Sequence, residues 1–246
     1  MTKVAIITGA SGGLGQSLCR ELESDGWQLA LVGRSAARLT EVFGDQATCI
    51  EADVSTPDGA SAAITACTDQ LGLPSALAHC AGNTLISSLE RTEVEQYREC
   101  LSANLDSAFF TLKAFVNALR EAGQFGNAVL VSTVAAQIGV NHHEAISCAK
   151  AGIEGLVRSA AASYAPAGIR INAVAPGIMD TPANADLLSS DISREGAARQ
   201  YPLPGVFDPA EVARLMGWLM SDQAARITGQ VWAVDGGFSA IRPLVK

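Results

Sequence analysis

The sequence predicts an α/β fold: a single domain over residues 1–246, built as a doubly wound parallel sheet of about seven strands with helices on both faces. Three observations carry this. Short apolar runs alternate with longer helical stretches along the whole chain. The runs are continuously apolar, as strands buried on both faces must be. A glycine-rich turn joins the first run to the first helical stretch. A length of 246 residues suits one α/β domain.

In chain order, Val4–Ile7 reads as the first strand and Gly13–Asp25 as the helix after the glycine turn. Gln28–Val32, Thr48–Glu51 and Ala76–His79 follow as strands, separated by helices at Ser35–Phe43 and Pro57–Leu71. Glu93–Ala122 reads as one long helix before the strand Ala128–Ser132. The helix Ala145–Ala165, the strand Arg170–Val174, the helix Pro209–Ser221 and the strand Val231–Val234 complete the series. Ala183–Pro204 lacks a clear period, is polar and holds Pro202 and Pro204, so it is expected to be a surface insertion, a candidate substrate lid over about 183–204.

Composition narrows the function classes. The formal net charge is -8 with no Lys/Arg cluster, which argues against a nucleic-acid partner. No apolar run approaches the roughly 20 residues of a membrane span. The start, Met1-Thr2-Lys3-Val4-Ala5-Ile6-Ile7-Thr8, reads as a strand entering a turn and not as a signal peptide. The six cysteines form no CxxC pair, so no metal site is expected and a reducing cytoplasm fits best.

Several motifs carry chemistry. Thr8-Gly9-Ala10-Ser11-Gly12-Gly13-Leu14-Gly15 lies between strand and helix, where small residues let backbone approach a pyrophosphate and the helix N-terminus faces the anion. Asp53-Val54 follows the third strand, and His79-Cys80-Ala81-Gly82 ends the fourth. Leu101-Ser102-Ala103-Asn104-Leu105 lies in the long helix, and Ile146-Ser147-Cys148-Ala149-Lys150 near the start of the next. Arg170 to Ile178, reading RINAVAPGI, and Val234-Asp235-Gly236-Gly237 follow. As a set, these resemble the short-chain dehydrogenase/reductase family across essentially the whole chain.

The resemblance implies a Rossmann-like fold holding a nicotinamide dinucleotide through Gly9, Ser11, Gly13, Leu14 and Gly15. It implies adenine contacts from Asp53 and Val54, support from Ala81 and Gly82, and a nicotinamide wall from Pro176, Gly177, Ile178 and Thr181. Lys150 would bind the ribose. At the end of the second strand, Gly33-Arg34 offers a cation and no carboxylate, which favours NADP(H) over NAD(H). A homodimer or homotetramer through the helices at about 93–122 and 145–165 is also implied, with a contribution from the tail Phe238–Lys246. The partner otherwise expected is a small-molecule substrate.

The family's catalytic set is an Asn, a Ser, a Tyr and the Lys. Asn104 and Lys150 match. Thr133 falls at the Ser position, beside Ser132, and keeps a hydroxyl able to polarise a carbonyl. The Tyr position, four residues before Lys150, reads Ile146, which cannot carry a proton. Tyr201, in the insertion, is the one tyrosine left as a substitute. His143, ahead of its neighbour His142, is the candidate proton carrier: it precedes Ile146 by one helical turn, and imidazole ordinarily titrates near neutrality. Three readings stay open: an atypical NADPH-dependent oxidoreductase, a nucleotide-binding regulator or scaffold without turnover, and a non-redox isomerase, dehydratase or cyclase in the same pocket.

Overall fold

A computed structural model describes residues 3–242. Seven parallel strands form one sheet in the order β3-β2-β1-β4-β5-β6-β7. They are β1 (Val4–Thr8), β2 (Gln28–Gly33), β3 (Thr48–Glu51), β4 (Ala76–His79), β5 (Gly126–Val131), β6 (Ile169–Pro176) and β7 (Val231–Val234). The helices are α1 (Gly13–Ser24), α2 (Ala36–Phe43), α3 (Pro57–Leu71), α4 (Val94–Leu101), α5 (Ser107–Glu121), α6 (Glu144–Tyr164), α7 (Asp191–Ala198) and α8 (Pro209–Met220).

Strand geometry sends successive side chains to opposite faces. Val4 and Ile6 of β1 therefore join a core with Phe115 of α5 and Ile153 of α6, while Ala5 and Ile7 join one with Leu18 of α1 and Met216 of α8. Full burial of each such Leu, Ile or Phe contributes roughly 1.5–3 kcal/mol. The N-terminal caps are equally local: Ser35 Oγ accepts from Arg38 N, Thr56 Oγ1 from Gly59 N and Asp208 Oδ1 from Ala210 N.

Chain direction across the sheet reverses between β1 and β4, the place where open parallel sheets bind ligands beyond their strand ends. The final residues of these two strands, Thr8 and His79, lie in register. Thr8 Oγ1 and His79 Nδ1 are 2.9 Å apart, and His79 Nε2 is 3.1 Å from Ser107 Oγ. Ser107 Oγ donates to Ala103 O at 2.7 Å, so it accepts from His79 Nε2–H, and Nδ1 accepts from Thr8. A neutral imidazole thereby ties both strands to the start of α5, and burial holds its pKa down at about 3.

Two expectations are corrected. The stretch read as one helix over Glu93–Ala122 is α4 and α5 joined by a π-turn at Ser102–Asp106. The wider turn carries Asn104, a common use of a π-bulge. The irregular stretch at 183–204 contains α7, started by a reciprocal Ser190–Ser193 capping box. The last part of the tail expected at a subunit contact, residues 243–246, lies outside the described residues.

Candidate active site

The turn after β1 is tightly built. Gly9 has φ +65°, and a Cβ there would lie 2.6 Å from Ala81 N and 2.7 Å from Cys80 C, so only glycine fits against the end of β4. A Cβ on Gly13 would meet Thr181 Cγ2 at 2.7 Å, so Thr181 packs directly against the loop. Gly12, the N-cap of α1, offers no capping side chain, and the N–H groups of Gly13, Leu14 and Gly15 have no protein acceptor among the described residues. Three unpaired donors at the positive end of a 12-residue helix suit an anion. Ser11 O accepts from Gln16 Nε2 at 2.8 Å, bracing the loop.

At the outer edge Arg34 is exposed beyond β2, and Asp53 accepts from Ser55 N at 3.0 Å and Ser55 Oγ at 2.7 Å. Those hydrogen bonds, foremost, hold the Asp53 carboxyl below its ordinary range. Val54 is buried behind it. Sequence reasoning missed Glu51: it pairs in register with Gly33, and its Oε2 accepts from Ala36 N at 2.8 Å. A carboxylate therefore shares this edge with Arg34. The only available signal was the parallel register, which places the end of β3 beside the end of β2.

A cavity of about 660 Å³ opens above the strand ends and gathers Asn104, Thr133, His143, Ile146, Lys150, Gly82, Pro176, Gly177 and Ile178. Lys150 shares the inner stripe of α6 with Ala149 and Ile153 and is buried. Its Nζ donates to Val131 O at 2.8 Å, and burial lowers its pKa to about 8, opposed in part by Cys80 and Cys100. Asn104 is fully buried, and its amide N donates to Asn83 Oδ1 at 2.8 Å and Cys100 O at 2.9 Å. Its Oδ1 has no hydrogen-bond partner among the described residues. A Cβ on Gly82 would come within 2.5 Å of that oxygen and 3.5 Å of Lys150 Nζ, so the missing side chain keeps this corner open.

Thr133 and Ser132 have separated roles. Ser132 Oγ donates to Glu154 Oε1 at 2.9 Å and is buried against α6, an attachment the sequence did not reveal. Thr133 caps the short turn Val134–Ala136 and stays on the cavity wall. Ile146 is 5% exposed and packs with Cys100, Ala145 and Ala149. His143, the N-cap residue of α6, is half-buried, and its Nδ1 lies 2.7 Å from Asn141 O. A carbonyl only accepts, so Nδ1 carries hydrogen and Nε2 is left to take or give a proton. His142 sits at φ 61° and is exposed outside the cavity lining. Tyr201 is 8% exposed, packed on Phe207 and Phe238, and its Oη accepts from Ile178 N at 2.7 Å. Residues of α7 and of the turns on either side of it, including Leu187, Ala197 and Gln200, close the outer wall.

A glycine cradle at the first strand–helix turn, beside a cavity holding a buried Lys and an Asn, defines a dinucleotide-binding α/β protein. The sequence model described as Enoyl-(Acyl carrier protein) reductase matches residues 9–239. The chain is 34% identical to cis-4-hydroxycyclohexanecarboxylate dehydrogenase of Sinomonas cyclohexanicum, covering 97% of each protein. It is 30% identical to 3beta-hydroxysteroid dehydrogenase 1 of Eggerthella lenta, over 96% of this chain and 94% of that protein. A solved Phe→Trp variant of actinorhodin polyketide ketoreductase with NADPH superposes with a TM-score of 0.90 at 25% identity, covering 98% of each chain. The chain belongs to the short-chain dehydrogenase/reductase family, and these relatives are oxidoreductases. Among the described residues, no helix is long and apolar enough to cross a membrane, and no group of three His, Cys, Asp or Glu could hold a metal ion.

Proposed function

We propose that this chain is an NADPH-dependent oxidoreductase acting on a small or medium organic substrate, with Ile146 where the family has its tyrosine. The observation that carries the reading is the convergence of His143, Thr133, Asn104 and Lys150 on one cavity beside an uncapped α1. The pyrophosphate would rest on the backbone of Gly9, Ser11, Gly13, Leu14 and Gly15, with Thr181 across the loop. Asp53 and Val54 would hold adenine, Arg34 the 2′-phosphate and Lys150 the nicotinamide ribose. Ala81, Gly82 and the Pro176–Ile178 backbone would bound the ring. When bound, the nicotinamide supplies the hydride.

The protein's part is orientation and proton delivery. Thr133 Oγ1 points a hydroxyl at the substrate oxygen and stabilises charge developing there. His143, its Nδ1–H fixed on Asn141 O, donates from Nε2 in reduction and accepts there in oxidation. Asn104 Oδ1, unpaired at the Lys150 corner, accepts from a water that keeps this region hydrated. Residues 183–204 act as the lid. Exposed Val94 and Tyr97 on α4 and Phe109 on α5 support pairing of subunits as a homodimer or homotetramer, which light scattering tests. The six free thiols support a cytoplasmic setting.

Two measurements test the proposal. NADPH fluorescence titration is expected to give micromolar binding at least about tenfold tighter than NADH; equal affinity rejects the role of Arg34. In a substrate screen, His143→Gln should lower kcat by about 100-fold or more while nucleotide affinity holds, and unchanged turnover rejects the proton role. The buried hydrocarbon of Ile146 favours a second reading, a nucleotide-binding regulator. Tight NADPH binding without turnover across the screen would support it. Product formation without NADPH consumption would instead support a non-redox enzyme.

A further inference from the structure

We infer that the substrate is an uncharged, hydrocarbon-rich carbonyl compound or the corresponding alcohol, without a carboxylate or phosphate group. The inference rests on the redox reading above and names what that site accepts. The outer cavity wall carries Ile86, Val140, Met179, Leu187 and Phe238, and its polar members, Thr84, Asn184, Ser193 and Gln200, are neutral. None of the described lining residues is Asp, Glu or Arg, and Lys150 and His143 are the only ones able to carry positive charge.

Both belong to the inner, reacting end of the cavity and not to its outer wall: Lys150 is the proposed ribose ligand and His143 the proposed proton carrier. Lys150 Nζ donates to Val131 O, at the corner shared with Asn104 and Gly82, and His143 Nδ1 donates to Asn141 O. Two arginines stand on or beside α7, the helix that lends Ser193, Gly196 and Ala197 to the wall. Arg194 makes a two-pronged pair with Asp180 at 2.8 and 3.1 Å, and Arg199 pairs with Glu195. An anion held on the outer wall would lose hydration and, among the described lining residues there, meet only neutral donors and no guanidinium or ammonium group. Neutral polar groups are treated differently. Thr84 and Gln200 stand exposed at the rim with no side-chain hydrogen bond to protein, so they can meet a hydroxyl or an ester.

The test compares 4-oxocyclohexanecarboxylate with its ethyl ester, which share the ring and reacting carbonyl but differ in charge. With the whole protein and NADPH, kcat/KM for the ester is expected to exceed that for the carboxylate by about tenfold or more. Equal values or the reverse order overturn the inference. Saturation-transfer NMR on the protein loaded with NADP+ reads binding of the two compounds without turnover. If NADPH binds and neither ketone is reduced, the wider substrate screen decides the redox reading, and NMR alone tests the inferred ligand class. Stronger binding of the ester then upholds it; equal or stronger binding of the carboxylate, or binding of neither, overturns it. Leu187→Arg, at a rim position 42% exposed, supplies the missing cation. It should move the preference about tenfold toward the carboxylate, and no movement rejects the absent charge as the cause.

Discussion

Replacing His79 by Asn gives a stability change whose pH dependence can be worked from the structure. His79 is fully buried, accepts from Thr8 and donates to Ser107, so the folded protein holds it neutral with a pKa pushed down to about 3 from an ordinary 6.5. Burial is the main cause and the Lys150 charge adds to it. The folded pKa lies below the unfolded one. Between them the unfolded chain binds a proton that the native protein refuses, so stability falls as pH drops below 6.5 toward 3. At about pH 5 protonation of the unfolded imidazole favours unfolding by about 2 kcal/mol relative to pH 7.5, with a limiting slope of about 1.4 kcal/mol per pH unit. Urea denaturation of wild type and His79→Asn across this range measures it. The window lies above most carboxylate titration, and each protein is referenced to its own stability at pH 7.5, so hydrogen bonds lost in the variant cancel. The wild type should lose about 2 kcal/mol more than the variant by pH 5. Parallel curves would refute the buried neutral imidazole.

Three further outcomes test the site. Gly82→Ala should lower the denaturation midpoint by the equivalent of about 1–3 kcal/mol and reduce turnover, because its Cβ would press on Asn104 Oδ1; equal midpoints in urea would show that the corner yields. Ile146→Tyr should raise ketone reduction by about tenfold or more, since a phenol there extends beyond the isoleucine toward the cavity holding Lys150 and Thr133, and an unchanged initial rate would show that the acid was not limiting. Glu51→Gln should shift nucleotide preference toward NADPH by about threefold, by removing a carboxylate from the edge that holds Arg34; titration with both nucleotides checks it, and an unchanged ratio places Glu51 outside that contact.

The sheet was legible because its signals are local. Continuous apolar runs in β1, β4 and β5, and the glycine where backbone must pass backbone at Gly9, are properties of short windows. The π-turn was hidden for the opposite reason. A one-residue change in hydrogen-bond spacing leaves the apolar stripe through Cys100, Ala108 and Leu112 nearly unbroken, so periodicity runs through it. α7 was hidden because no residue in it is buried, and its start depends on two serines that equally suit a turn.

The same contrast explains the site. Lys150 and Asn104 were legible as types at a spacing, whereas what surrounds them is assembled from distant segments. His79 meets Thr8 across 71 residues, and Ser132 meets Glu154 across 22. In the first case an imidazole long enough to reach both Thr8 and Ser107 fills the join between β1, β4 and the π-turn that carries Asn104. The His79 ring is therefore satisfied by hydrogen bonds at both nitrogens. The departure at Ile146 is compensated only by apolar packing against Cys100 and Ala149, which keeps the helix in place and supplies no proton. That asymmetry separates them: His79 ties the scaffold together, and on the proposed reading Ile146 leaves the demand for a proton to the imidazole of His143 at the N-cap of α6.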